Sequence, residues 1–354
     1  MADYTLVAFQ SGSALGEIDA LDVRYDLYLD RPSTLQFKVN GKNPTAAFID
    51  ELATDVLVYR NREAIQRFIV TGLRDELDES SHYVTVNAFD YRARLARRFI
   101  KTQQTFSAED DVDIAWDVID TAQAETNGGM GITRGVYPPG VSLTGGFASG
   151  VKVDEAIDIL ANIDDGFDWE IDADLKFNIY RPRGTTKQRI LDWGGLDKKA
   201  SRTFAVERFA NVVRVSGDDT VTPVVEGAGS SSVGRWESEL GYSAVSNQTL
   251  LDGLAVDALS RAAEDAYAYQ MTLRDSEGLQ VWQGPTDIGL GDTLRLVIRS
   301  GRLNVNELKR VTEIHVVADE SGGEQVTFTL EGVEPTFAQR IANVLRRLDE
   351  LERQ

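Results

Sequence analysis

The sequence predicts an α+β protein, mainly β, with two small related β-barrel domains, an intervening α+β domain and a C-terminal helix. Three observations lead there. Short runs of alternating apolar and polar residues recur through roughly the first hundred positions, at the spacing of a small barrel or sandwich. The texture then changes to helical periodicity broken by Gly and Pro, and returns to strands from about residue 201. Finally, one strand pair is written twice. Val70-Thr71-Gly72-Leu73, a polar run to Asp78-Glu79-Ser80-Ser81, and Val84-Thr85-Val86 match Val311-Thr312-Glu313-Ile314, Asp319-Glu320-Ser321-Gly322 and Val326-Thr327-Phe328. Register holds through the turn and slips by a single residue after it. Each copy follows a strand opening on Asp-x-Leu, at Asp55-Val56-Leu57 and Asp292-Thr293-Leu294. β-Branched residues at strand ends and Asp, Ser and Gly at the bend suit any hairpin. Two unrelated hairpins would give the same pattern; the alternative is a duplicated β-domain, one copy at each end.

The first domain is assigned to residues 1–105. Tyr4 to Phe9 form a strand ending at Ser11-Gly12-Ser13. Val23, Tyr25, Leu27 and Leu29 alternate with Arg24, Asp26, Tyr28 and Asp30, the period of a half-buried strand. Arg31-Pro32-Ser33 turns the chain, and Leu35, Phe37 and Val39 alternate in the next strand. Asn43-Pro44 opens a short helix carrying Ala47, Phe48, Ile49 and Leu52. Strands follow at Val56–Tyr59, Gln66–Leu73 and Tyr83–Phe89. Closing such a sheet would hide its edges.

The α+β domain is assigned to residues 106–200. Ser107-Ala108-Glu109-Asp110 has the form of a capping box, and Val112, Ala115, Trp116, Ile119 and Ala122 then share one helix face. The Gly/Pro-rich passage from Gly128 to Gly150 is long for a structureless loop, so extended strand or an exposed functional loop is expected within it. Val153, Ile157, Leu160 and Ile163 mark a second helix. Phe167–Ile171 and Phe177–Ile179 flank Asp172-Ala173-Asp174 as a hairpin.

The second β-domain is assigned to residues 201–335. It holds a strand at Asn211–Val215 and a Gly/Ser-rich loop at 227–234. A helical insertion at about 247–272 places Leu251, Leu254, Ala258, Ala262, Ala266 and Tyr269 on one face. Strands resume at Leu279–Trp282, Asp292–Ile298, Arg310–Val317 and Gln325–Leu330. In the C-terminal helix, 336–354, Phe337, Ile341, Val344, Leu348 and Leu351 fall three and four residues apart, the start of a heptad seam. Such a short seam either packs back on its own domain or meets another copy. These five are the interface residues the sequence offers.

Composition narrows the function. At 354 residues, 42% hydrophobic, the chain can bury real cores. A formal net charge of −20 argues against wrapping nucleic acid, which needs Lys and Arg to displace counterions. With no cysteine, disulfides and thiolate metal sites are excluded. No basic-then-apolar leader is visible at Met1-Ala2-Asp3-Tyr4, and no apolar run approaches the roughly 20 residues that cross a bilayer. Assembly in a cytoplasm is expected.

Catalytic constellations are not found. The two histidines, His82 and His315, both fall within the repeated hairpins, and no Gly-x-Ser-x-Gly elbow accompanies them. Asp164, Asp165, Asp168, Asp172 and Asp174 gather around Trp169 but lack the offsets, central Gly and closing Glu of a calcium loop. A charged β-turn explains them. Neither a phosphate-cradling loop nor a dinucleotide fingerprint is present. No catalytic residue, metal or cofactor is expected.

The order of these pieces resembles a known family. A β-domain, the hairpin Phe167-Asp168-Trp169-Glu170-Ile171 with Phe177-Asn178-Ile179, the strand from Phe209 to Gly217, the turn Gly289-Leu290-Gly291-Asp292 and a terminal helix follow one another. This is similar to the baseplate hub, or tail-tip minor tail protein, of long-tailed bacteriophages, including Gp37-like proteins and the N-terminal hub of tail-associated lysins. The likeness spans nearly the whole chain and rests on order and texture, without an invariant catalytic motif.

It implies a virion protein at the tail tip: a homotrimer in which three chains, each giving two barrels, form a six-fold-like ring that caps a hexameric tail tube. The implied partners are the distal tail or tube hexamer, the tape-measure protein and other tip or fibre proteins. Genomic DNA would pass the lumen without specific binding, and a negative wall would let it slide. Lysin-bearing relatives continue into a wall-degrading domain; here that activity is expected in another protein. A carbohydrate-binding adhesin, using Gly128–Gly150 and the loop around Trp236 and Tyr242, is the alternative. A glycoside hydrolase ranks below it, and a hub from a contractile injection or secretion device is not separated from a phage.

Overall fold

A computed structural model describes residues 3–331 apart from 80, 162–165, 194–196, 205–208, 218–224, 227–232, 243–254, 256–258, 260–261, 263–266, 275–286 and 319–322. The first part comprises β1 (Tyr4–Gln10), β2 (Ser13–Ile18), β3 (Ala20–Tyr28), β4 (Thr34–Asn40), β5 (Thr54–Arg60), β6 (Glu63–Leu77), β7 (His82–Asp90) and α1 (Tyr91–Leu95). The middle holds β8 (Gln104–Asp110), α2 (Asp111–Ala124), β9 (Thr133–Arg134), β10 (Ser142–Phe147), α3 (Val153–Ala161), β11 (Asp168–Ile171) and β12 (Lys176–Tyr180). The last part comprises β13 (Thr186–Asp192), β14 (Asp197–Phe204), β15 (Val212–Gly217), β16 (Val225–Glu226), β17 (Glu237–Tyr242), β18 (Tyr267–Arg274), β19 (Thr293–Ser300), β20 (Leu303–Ala318) and β21 (Glu324–Glu331).

The fold is mainly β, of the α+β class. Among the described residues its strands are not closed into two separate barrels. Among the described residues they join one 13-stranded sheet, ordered β14-β18-β21-β20-β3-β4-β7-β6-β5-β1-β2, with β19 on β20 and β13 on β19. The bridge is β20. Its first half pairs with β19, from Thr293↔Arg310 to Ser300↔Leu303. Its second half lies between β21 and β3, with Glu313↔Tyr28 through Ala318↔Val23. One strand therefore belongs to both ends of the chain.

Within that sheet the repeat extends well beyond two hairpins. The order β3-β4-β7-β6-β5 recurs as β14-β18-β21-β20-β19. Both long strands carry a register shift at the same place in the repeat, Val70/Gly72 against β7 and Val311/Glu313 against β21. An extra residue there, Thr71 or Thr312, bends and twists the strand, so that its two halves serve different neighbours. Leu35, Phe37 and Val39 face Ala88, Val86 and Val84, as Tyr269, Met271 and Leu273 face Leu330, Phe328 and Val326. All twelve are buried.

Burial divides differently from the strand repeat. One core gathers residues of both ends, from Leu6, Phe37 and Phe68 to Met271, Leu296 and Phe328. A second lies in the middle block, around Ile119, Ile157, Trp169 and Phe177.

Local expectations are corrected at three places. The Asn43-Pro44 helix is a 3-10 turn at Pro44–Phe48, with the Asn43 side chain accepting from Thr45 N at 3.0 Å. Ser107 caps nothing. It lies in β8 opposite Thr144, and α2 begins at Asp111 with no side-chain cap bond from Asp110. Tyr269, expected on a helix, lies in β18; Leu251, Leu254, Ala258 and Ala266 of that face lie outside the described residues, as do Leu279–Trp282.

Candidate assembly interface

The two repeats meet where β3 lies against β20. His315 Nδ1 sits 2.9 Å from Asp26 Oδ1, across the seam, and its Nε2 sits 3.1 Å from Glu313 Oε2. Hydrogen bonds first to Asp26 and then to Glu313 outweigh burial and raise the imidazole to about 9, so it is a cation at neutral pH. Burial alone would raise both carboxyls; the bonds from His315 hold them below the usual carboxylate range. Arg31 adds an ion pair to Glu313.

A second clamp joins the ends of the chain. Arg60 of β5 donates from Nε and Nη2 to the two oxygens of Glu324 of β21, both at 2.7 Å. The side chains are 6% and 5% exposed. The Tyr4 hydroxyl donates to the same carboxylate. This is a forked, buried pair of the kind Arg forms best with carboxylate.

The middle block is held by its own junction, centred on Arg310. Its guanidinium is paired with Asp168 and donates to Gly291 O at 3.2 Å and to Arg183 O at 3.1 Å. Arg310 is 2% exposed and Asp168 6%. The segment after β12 runs backbone to backbone against the turn before β19. A Cβ on Gly184 would lie 2.3 Å from Gly291 C, and one on Gly291 would lie 2.5 Å from Arg183 O. Asp292 secures that turn by accepting from Thr185 N and Gly289 N, each at 2.7 Å. On the other side, Arg92 lies 3.8 Å over the Trp169 ring and bonds Asp158 at 2.8 Å and Leu29 O at 3.1 Å.

Of the sheet margins that carry no partner strand among the described residues, two stand at equivalent places in the repeat. The end of β6, Gly72–Leu77, pairs only with β7, because its pairing with β5 ends at Asp55↔Ile69. The outer margin of β14 is the other; that strand pairs only with β18. Leu77 is 76% exposed and Phe204 46%. Long unpaired margins are templates for another strand.

The residues singled out by sequence fall unevenly. The C-terminal seam, Phe337, Ile341, Val344, Leu348 and Leu351, lies outside the described residues. So do Asp164 and Asp165. Asp168 is no surface ligand; it is the buried anion of Arg310. Asp172 accepts from the backbone N–H groups of Asp174 and Lys176 at 2.9 Å, as a charged β-turn requires. His82 pairs with exposed Asp75 at 3.0 Å. Trp236 is 46% exposed and donates to Val233 O at 3.3 Å. Among the described residues no group of three or more His, Asp or Glu could hold a metal, and no helix is long and apolar enough to cross a membrane.

No protein-family model and no curated protein matches the sequence. Solved structures do match. The 43 kDa tail protein of prophage MuSo2 from Shewanella oneidensis has a TM-score of 0.71 at 15% identity, covering 92% of this chain and 97% of that one. The tail protein from Neisseria meningitidis MC58 gives 0.64 at 12% identity, covering 93% and 96%. The Escherichia coli c3393 protein, described as a component of the type VI secretion system with structural similarity to T4 bacteriophage tail proteins gp27 and gp5, gives 0.51 at 11%, covering 94% and 80%. At these identities the likeness is one of fold.

Proposed function

We propose that this chain is a structural, non-enzymatic subunit of a phage tail tip or baseplate hub, located in the virion. It forms a homotrimeric ring in which each chain supplies two equivalent β-units. The observation that carries this reading is the internal repeat: the same five-strand order twice, with the same bulge, linked in series by β3 and β20. A protein with two like units per chain can present six near-equivalent positions from three copies and so match a hexameric tube. The likeness of fold to tail proteins, across more than nine-tenths of this chain, supports the same reading.

The partners follow from that role: the tail-tube or distal tail hexamer on one face, and the tape-measure and tip or fibre proteins elsewhere. DNA passes without sequence-specific contact. The C-terminal seam at Phe337, Ile341, Val344, Leu348 and Leu351 adds a contact between copies or to the next tip component. Light scattering on the purified chain tests the core of the proposal. Three copies of 39.1 kDa give about 117 kDa. A particle of that mass supports the ring; a monomer, both alone and with the tube protein added, removes it.

A further inference from the structure

Resting on the trimer reading, we infer that the end of β6 in one chain pairs antiparallel with the outer margin of β14 in the next, with Asp75 opposite Arg202. The chain contains its own template for this contact. In the second repeat, the end of β20 is covered by β3 of the first repeat, in the register Ile314↔Leu27, His315↔Asp26, Val316↔Tyr25, Val317↔Arg24 and Ala318↔Val23.

The equivalent surfaces follow from the sheet registers. Leu73 faces Val86 in β7 as Ile314 faces Phe328 in β21, so Leu73 to Leu77 stand where Ile314 to Ala318 stand. Tyr25 faces Leu35 in β4 as Arg202 faces Tyr269 in β18, so Ala200 to Phe204 stand where Val23 to Leu27 stand. Each long strand thus presents one margin to a β3-type strand. In β20 that margin is filled from within the chain. In β6 it is empty among the described residues, as is the margin of β14 that would fill it.

Transferring the register gives Leu73 opposite Phe204, Arg74 opposite Thr203, Asp75 opposite Arg202, Glu76 opposite Ser201 and Leu77 opposite Ala200. The chemistry of the two margins fits. Asp75 meets Arg202 directly, half-buried Leu73 lies opposite exposed Phe204, and exposed Leu77 lies opposite Ala200. Exposure is consistent with a missing cover. Ile314 and Val316 are 1% and 0% exposed, whereas their equivalents Leu73 and Asp75 are half-buried and exposed. A two-fold antiparallel β6–β6 contact centred on Asp75 would set Asp75 against its own copy while pairing Arg74 with Glu76, whereas the β6–β14 pairing sets Asp75 against Arg202. A head-to-tail contact closes into a ring when its rotation permits.

The test uses the absence of native cysteine. The full chain carrying Asp75→Cys with Arg202→Cys is oxidised and run on a non-reducing gel. Directly opposed strand residues lie within disulfide reach. We expect a ladder ending in a covalent trimer that reductant collapses. The single variants should stay monomeric on the gel. The off-register pair Asp75→Cys with Thr203→Cys should link at least about tenfold less, since its side chains leave opposite faces.

A wild type of three-copy mass whose 75/202 pair links no better than 75/203, or links only within one chain, overturns the strand pairing and leaves the trimer standing. A wild type monomeric alone and with the tube protein overturns both. Charge exchange gives a second reading: Asp75→Arg and Arg202→Asp should each lower the trimer fraction, and the double variant should restore it. Single variants with full trimer overturn the pairing.

Discussion

Replacing Glu324 with leucine removes the carboxylate that Arg60 grips from across the sheet. The two residues are 264 positions apart, and both side chains are nearly inaccessible, at 6% and 5% exposure. That exposure sets the size of the effect. A solvent-exposed ion pair contributes about 0–1 kcal/mol, whereas removing one partner of a buried pair costs about 3–5 kcal/mol, because the remaining charge loses its compensation. The loss of the Tyr4 hydrogen bond acts in the same direction. For 354 residues, an unfolding entropy of about 2.1 cal/mol/K per residue gives about 0.74 kcal/mol/K. A loss of about 4 kcal/mol then lowers Tm by about 5 °C.

Thermal and denaturant unfolding, followed by circular dichroism and by tryptophan fluorescence, measures the change. Asp174→Asn, which disturbs an exposed pair with Lys176, serves as the control and should shift stability by less than about 0.5 kcal/mol. Both probes should move together for Glu324→Leu, because the first and last strands share a core. A loss below about 1 kcal/mol, or two transitions of which only one moves, would refute the reasoning.

Stability should also fall at alkaline pH through His315. Its folded value of about 9 lies above the ordinary 6.5, so the stabilisation is complete below about pH 6.5 and is lost as pH rises through about 9. Because the ring is partly exposed, the loss is discounted to about 1 kcal/mol; denaturant midpoints at pH 6 and pH 9 measure it, and His315→Gln should flatten the difference. Gly291→Ala places a Cβ against Arg183 O at a φ of +83°, and should cost about 2–3 kcal/mol by denaturant titration while exposing the segment at 181–186 to protease.

Much of the strand pattern was legible because alternation is local. Leu35, Phe37 and Val39 are all buried, and the duplicated Val-Thr pair led to two β-strands bulged at equivalent threonines. The failures have equally physical causes. β14, with the sequence Asp-Lys-Lys-Ala-Ser-Arg-Thr-Phe, shows little apolar alternation because it lies at a sheet margin. Ser107 fits a helix cap and a strand alike, and its partner strand β10 was hidden in a run of glycines. The single sheet was unreadable for a different reason. β3 and β20 are nearly 300 residues apart, and nothing in either records which distant margin it will cover.

The same holds at the junctions. Asp168 reads as one of several charges in a turn, yet it lies next to buried Trp169 and pairs with buried Arg310. The usable signal was a charge set between Phe167 and Trp169, in a strand covered on both faces. Arg310 offered a weaker one, a cation directly before the repeated Val-Thr pair.

Cryo-electron microscopy of the assembled particle tests the ring most directly. Averages viewed along the axis should show true three-fold symmetry with six similar β-lobes around a central opening, alternate lobes arising from β3–β7 and from β14 with β18–β21. A particle with no ring, or a ring in which each chain supplies one lobe, would contradict the account.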